Sequence, residues 1–238
     1  LTAGRTEDLA IARPGGDLAA RLHHPPARPR AAAVVAHGLA SSMASNKLTA
    51  LCRDLAAAGV LALQFDHSGC GGSPGDQYDT SLTLRRDELL AAAETLAGRA
   101  PDAPLAYVGS SLGGAAAVAA ADIRAPACLA AWSAPVDLEE LMHALRHDPE
   151  AARYRALARD LGRHDLRAVV ARLSRCLWVH GERDEVVPAR QAREAHRLAR
   201  EPKELLILPG ADHQLSRAED QRRARERTLA WMERFIQG

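Results

Sequence analysis

Short apolar runs and longer stretches with apolar residues three to four apart alternate along most of this chain. Residues 31–36, 60–65 and 104–108 are almost wholly apolar, the pattern of strands buried on both faces. Residues 127–132, 176–180 and 204–208 repeat it further on. Between the first two runs, Leu48, Leu51, Cys52 and Leu55 fall at helical spacing, with Ser45 or Asn46 as the cap and Gly59 closing the helix. Residues 82–96 predict an amphipathic helix. Its apolar side carries Leu82, Leu89, Leu90, Ala93 and Leu96, and its polar side Arg85, Arg86, Asp87 and Glu88. Further helices are expected over 115–121 and 189–199, and in a C-terminal stretch that turns Leu229, Met232 and Phe235 or Ile236 inward. Near the start, residues 7–12 and 17–23 alternate loosely about Pro14-Gly15-Gly16, which predicts a hairpin.

Strands alternating with helices imply an α/β fold with a mostly parallel central sheet covered on both faces. The length suits one domain over residues 1–238. Residues 137–172 are helical in pattern, broken at Pro149 and Gly162, with acids and arginines in balance. They read as a small helical lid insertion, with Leu138, Leu141, Met142, Leu145 and Tyr154 as an apolar wall for the site.

Four turns that follow predicted strands carry the candidate chemistry. In open α/β sheets the reactive groups gather at the carboxyl ends of the strands, so these turns are expected to share one site. The first is His37-Gly38-Leu39-Ala40-Ser41-Ser42. The second, Gly109-Ser110-Ser111-Leu112-Gly113, reads G-x-S-x-G between a strand and a helix. That context pushes a serine hydroxyl into the open on a sharp turn, and the glycines avoid clashes with strand and helix. The helix N-terminus behind it favours developing negative charge. The third turn contains Asp184 and the fourth His213. A serine needs a base, and the base an orienting carboxylate. Ser111, Asp184 and His213 occur in one of the known serial orders for such a set. Glu182 and Glu185 are neighbouring carboxylates that compete for the orienting role.

Other features carry blander readings. His37 is expected to shape its loop, His180 to pack at a strand end, Ser110 to point away from the site, and Asp66 to brace the glycine-rich turn that follows residue 65. Cys70 in that turn reads as exposed. His143 and His147 have the spacing of a helical metal pair, but Ala144 stands where a metalloprotease needs glutamate. Gly69-x-Gly71 lacks a correctly placed third glycine, and Pro74 interrupts any helix start, so a dinucleotide site is not expected.

Composition narrows the classes further. A net charge of +1 and 3% aromatics argue against nucleic acid as a partner. No apolar run is long enough to span a membrane, and no basic start leads into an apolar leader. Four scattered cysteines without C-x-x-C suit a reduced, cytoplasmic protein.

These motifs together resemble the α/β-hydrolase fold over nearly the whole chain, and small serine esterases of the feruloyl (cinnamoyl) esterase group in particular. The likeness rests on His37-Gly38, Asp66-x-x-Gly69-x-Gly71-x-Ser73, Gly109-x-Ser111-x-Gly113, Gly181-x-x-Asp184-x-x-Val187-Pro188 and Gly210-x-x-His213, in family order. The resemblance implies a catalytic Ser111, Asp184 and His213, with the backbone N–H groups of Leu39 and Leu112 as the oxyanion hole. It implies a small ester or related acyl substrate and no metal or organic cofactor. Amide, thioester and C–C bond cleavage, and a non-catalytic binder, are the alternatives; a serine rather than an aspartate at the elbow argues against dehalogenase or epoxide hydrolase chemistry.

Overall fold

A computed structural model describes residues 4–147 and 151–236. Eight strands form one sheet in the order β1-β2-β4-β3-β5-β6-β7-β8. They are β1 (Thr6–Ile11), β2 (Leu18–His23), β3 (Ala31–Ala36), β4 (Val60–Phe65), β5 (Leu105–Ser110), β6 (Cys128–Trp132), β7 (Cys176–Gly181) and β8 (Lys203–Leu208). The first two form the expected hairpin, turning at Gly15 and Gly16, both at positive φ. β2 joins β4 antiparallel, and all remaining pairs are parallel.

Period-two alternation along the strands divides the core into two layers. From β3, Ala31, Ala33 and Val35 face one way, towards α1 (Asn46–Ala57) and α8 (Ala218–Glu233), where Leu51, Leu55, Trp231 and Met232 are buried. Ala32, Val34 and Ala36 face the other way, towards α2 (Leu82–Arg99) and α3 (Leu112–Ile123). The alanines of α3 let that helix lie close against the sheet. Each leucine fully buried in these layers contributes roughly 2 kcal/mol.

α2 corrects the sequence reading. Arg85 and Glu88 are not on a solvent face; they are 0% and 1% exposed. Leu82, Arg85, Leu89, Ala92 and Leu96 recur every three to four residues, so the helix turns Arg85 inward with its leucines. Cys70 is also buried rather than exposed, and all four cysteines are free and buried.

The segment after β6 is helical, as α4 (Leu138–His147), α5 (Arg155–Leu161) and α6 (Leu166–Val170), followed along the chain by α7 (Arg190–Leu198) between β7 and β8. Its apolar residues turn into the core: Leu138, Leu145 and Tyr154 are buried in the layer beside α2 and α3, with Leu141 and Met142 packed against it. Asp160 of α5 accepts from the Thr83 N–H and hydroxyl, both at 2.8 Å, tying the segment to the first turn of α2. Among the described residues no helix is long and apolar enough to cross a membrane.

Candidate active site

The turn between β5 and α3 is a strained elbow. Ser111 has φ 54° and ψ −126°, a conformation that costs a non-glycine residue about 1–3 kcal/mol. Its N–H donates to the Trp132 carbonyl at 2.7 Å, which holds the turn against β6. The elbow closes only because its flanks are bare. A Cβ on Gly109 would lie 2.2 Å from the Gly113 carbonyl oxygen, and one on Gly113 would lie 2.5 Å from the carbonyl oxygens of Ala36 and His37.

Two further turns bring their side chains to this serine. β8 ends in Pro209-Gly210, and the loop returns His213 so that its Nε2 is 3.0 Å from Ser111 Oγ. The other ring nitrogen, Nδ1, lies 2.9 and 2.8 Å from the two carboxylate oxygens of Asp184, in the turn after β7. With Nδ1–H donating to a carboxylate, Nε2 is left as the acceptor that faces the serine hydroxyl.

Asp184 is buried but fully partnered. Its Oδ1 accepts from the backbone N–H groups of Val186 (3.0 Å) and Val187 (2.7 Å). Its Oδ2 lies 3.0 Å from His180 Nε2. Burial alone would raise its pKa; the hydrogen bonds from His180, His213 and Val187 outweigh it and hold the carboxyl well below the usual range. The competing carboxylates are engaged elsewhere: Glu182 accepts from the Gly210 N–H, and Glu185 from the His213 backbone N–H. His180 therefore does more than pack at a strand end, since it touches the acid directly. Glycine at 181 and the tight turn after it bring residues 180 and 184 together, a contact that spacing alone does not reveal.

Opposite the elbow, the loop after β3 approaches closely. A Cβ on Gly38 would lie 3.1 Å from Ser111 Cβ. Leu39 lines the cavity with Ser111, and Leu112 is the first residue of α3, so its N–H lacks an intrahelical acceptor. Among the described residues neither N–H has a hydrogen-bond partner. His37 Nε2 accepts from the His67 N–H at 3.1 Å, so its Nδ1–H is the group that donates to the Gly38 carbonyl at 2.8 Å. Burial, with the neighbouring His67 and Arg85, pushes the His37 pKa down to about 2, which keeps the ring neutral. Asp66 braces the neighbouring loops, accepting from Met43 N–H at 2.6 Å and Gly72 N–H at 2.9 Å.

A cavity of about 110 Å³ opens beside Ser111, walled by Gly38, Leu39, Ser41, Lys47 and Gln214. Among the described residues none from 137–172 lines this cavity, which its expected apolar wall does not reach. Lys47 carries no sequence signal, because only the tertiary fold brings the start of α1 beside the His213 loop. Its ammonium donates to the Gln214 carbonyl at 3.1 Å, and burial lowers its pKa. The side chain of His147 lies outside the described residues, so the His143/His147 pair has no geometry to report.

The family model described as serine aminopeptidase, S33 matches residues 27–147. Uncharacterized proteins from two strains of Mycobacterium tuberculosis are 33% identical over 159 residues, covering 65% of this chain and 53% of their own length. The chain thus spans about half the length of the curated relatives it matches. Est1E from Butyrivibrio proteoclasticus, solved with ferulic acid bound, superposes with a TM-score of 0.84 at 21% identity, over 96% of this chain and 99% of that one. The esterase domain of a Rhodothermus marinus protein gives 0.77 at 27% identity, over 98% and 99%. XC6422 from Xanthomonas campestris, described as an α/β serine hydrolase without a lid, gives 0.75 at 20% identity, over 98% and 96%.

Proposed function

The chain belongs to the serine aminopeptidase S33 family of α/β hydrolases, and on that premise we propose that it cleaves a small carboxylic ester through an acyl-enzyme on Ser111. The observation that carries this reading is the unbroken contact chain from Ser111 Oγ through the His213 ring to Asp184. In this mechanism His213 Nε2 takes the hydroxyl proton as Ser111 Oγ attacks the ester carbonyl carbon. The carbonyl oxygen becomes an oxyanion held by the N–H groups of Leu39 and Leu112, a pair of donors worth about 3 kcal/mol each in the transition state. The C–O bond then breaks, and His213 returns the proton to the departing alkoxide. Water, deprotonated by the same nitrogen, releases the acid and restores the serine. Asp184 holds the Nδ1–H tautomer and stabilises the imidazolium between steps.

The cavity supports a short acyl group with polar or anionic character. Its described lining includes Lys47 and Ser41 and contains no carboxylate, so it suits a carboxylate-bearing acyl chain better than the ammonium of a peptide N-terminus. Hydrolysis of a series of p-nitrophenyl esters tests the reading. Wild type is expected to turn over the short esters, and Ser111→Ala is expected to lose turnover by several orders of magnitude. A Ser111→Ala protein that keeps its rate, or a wild type that binds esters without cleaving them, would sink it.

A further inference from the structure

The buried guanidinium of Arg85 has no part in the mechanism above, yet it touches the loop on which that mechanism depends. Arg85 Nη1 donates to two consecutive carbonyls, His37 at 3.3 Å and Gly38 at 3.2 Å. The Gly38 carbonyl also receives the His37 Nδ1–H. In a trans peptide the C=O and the following N–H point in opposite directions. The Gly38–Leu39 peptide is trans, so two donors gripping its oxygen leave the Leu39 N–H facing the cavity that Leu39 lines.

Among the described residues no carboxylate bonds to the guanidinium behind this grip, although Glu88 acts on it across space. Arg85 makes no salt bridge among the described residues. Glu88, one turn along α2, bonds His67 Nδ1 at 2.7 Å, accepts from Ser68, and pairs with Arg13 at 3.3 Å. Arg85 is held instead by Thr80 Oγ1 at 2.8 Å and by Cys70 Sγ at 3.9 Å. An apolar side chain would fill this place on the leucine face of α2 without the desolvation that a buried cation suffers. A cation bonded to a peptide oxygen also polarises that peptide, making its N–H a stronger donor in a low-dielectric interior.

We propose that Arg85 is a positioning residue of the oxyanion hole, orienting the Gly38–Leu39 peptide from behind and lending positive potential to the oxyanion that forms beyond it. The inference rests on the ester-hydrolase reading of Ser111. It concerns the transition state and not the ground state, so it separates from a packing role by kinetics. Arg85→Met is expected to lower kcat for p-nitrophenyl acetate roughly 10- to 100-fold, with KM held within about threefold, since an indirect loss falls short of deleting a donor. The affinity for an alkylboronic acid, whose tetrahedral serine adduct places an oxygen in the oxyanion hole, is expected to fall by the same factor as kcat/KM. Arg85→Lys keeps the charge without the fork and is expected to recover part of both losses. Thr80→Val loosens the guanidinium from its far edge and is expected to fall between Arg85→Met and wild type. If Arg85→Met does not fold, as judged by circular dichroism, Arg85→Lys and Thr80→Val carry the test. Folded variants with kcat within twofold of wild type, or a fall in kcat with boronate affinity unchanged, would overturn the proposal. A failed hydrolase reading looks different: wild type itself then neither cleaves the ester nor binds the boronate.

Discussion

Asp184→Asn is nearly isosteric, and the surroundings of Asp184 dictate how the new amide must sit. The Oδ1 position receives two backbone donors, the N–H groups of Val186 and Val187, which cannot be inverted. An NH2 placed there would set donor against donor in a buried turn, so the amide oxygen occupies Oδ1 and the NH2 occupies Oδ2. Oδ2 faces His180 Nε2 at 3.0 Å and His213 Nδ1 at 2.8 Å. His180 has a second acceptor, the Val187 carbonyl at 2.7 Å, and turns its proton there. His213 Nδ1 lies 2.9 Å from Oδ1, but there it would compete with the two backbone donors for a neutral amide oxygen, a weaker acceptor than the carboxylate, while the NH2 at Oδ2 opposes its proton. Its Nδ1 becomes the acceptor and its proton moves to Nε2, against Ser111 Oγ. The base is then protonated where it must accept, and the carboxylate charge that steadied the imidazolium is gone. The analogous exchange in a serine protease triad lowers kcat about 10⁴-fold, which corresponds to roughly 5 kcal/mol of barrier. Turnover of p-nitrophenyl acetate, with a thermal melt to confirm folding, measures it directly. A folded Asp184→Asn protein within tenfold of wild type would refute both the tautomer argument and the role proposed for Asp184.

Other consequences reach stability and selectivity. Burial lowers the pKa of His23 to about 4, of His37 to about 2, and of His67 well below its usual value. The unfolded chain therefore binds these protons as pH falls through 6.5 while the folded protein does not, and stability is lost below that point and flat above it. The loss at pH 5 is about 2 kcal/mol for each ring, so stability in urea unfolding is expected to fall between pH 7 and pH 5, and His23→Leu to remove about 2 kcal/mol of that difference; no difference in wild type would contradict it. Two glycine-to-alanine exchanges are expected to act with opposite sign. Gly113→Ala drives a Cβ into the backbone under the site, costing about 1–3 kcal/mol and a fall of several degrees in melting temperature. Gly98→Ala in α2 meets nothing within 4 Å and gains up to about 1 kcal/mol from helix propensity; melting points that move together would refute the clash argument. Lys47→Glu is expected to lower the ratio of kcat/KM for p-nitrophenyl hemisuccinate over p-nitrophenyl acetate on the order of tenfold or more, and an unchanged ratio would remove Lys47 from substrate selection.

The strands were legible because a parallel sheet buried on both faces leaves apolar runs; residues 31–36 and 60–65 coincide with β3 and β4. The candidate site was legible because the topology, not local detail, collects it: Ser111, Asp184 and His213 each follow a strand, and parallel strands deliver their ends to one rim. Arg85 is hidden by its charge, although its spacing from Leu82, Leu89 and Leu96 places it on the apolar face. Lys47 in α1 and His180 in β7 meet the site because the loops carrying Gln214 and Asp184 return to them, contacts that no periodicity encodes. The wall expected from Leu138, Leu145 and Tyr154 failed for a related reason. An amphipathic pattern says that a face is buried, not against what, and here the partner is the core rather than a substrate.

The central claim is that His213 makes the Ser111 hydroxyl a strong nucleophile, and a fluorophosphonate tests it most directly. Treatment of the folded protein followed by peptide mass spectrometry is expected to place one phosphonyl adduct on Ser111, with none on Ser111→Ala and sharply slowed labelling of His213→Ala. An adduct on a different residue, or equal labelling of wild type and Ser111→Ala, would contradict the account.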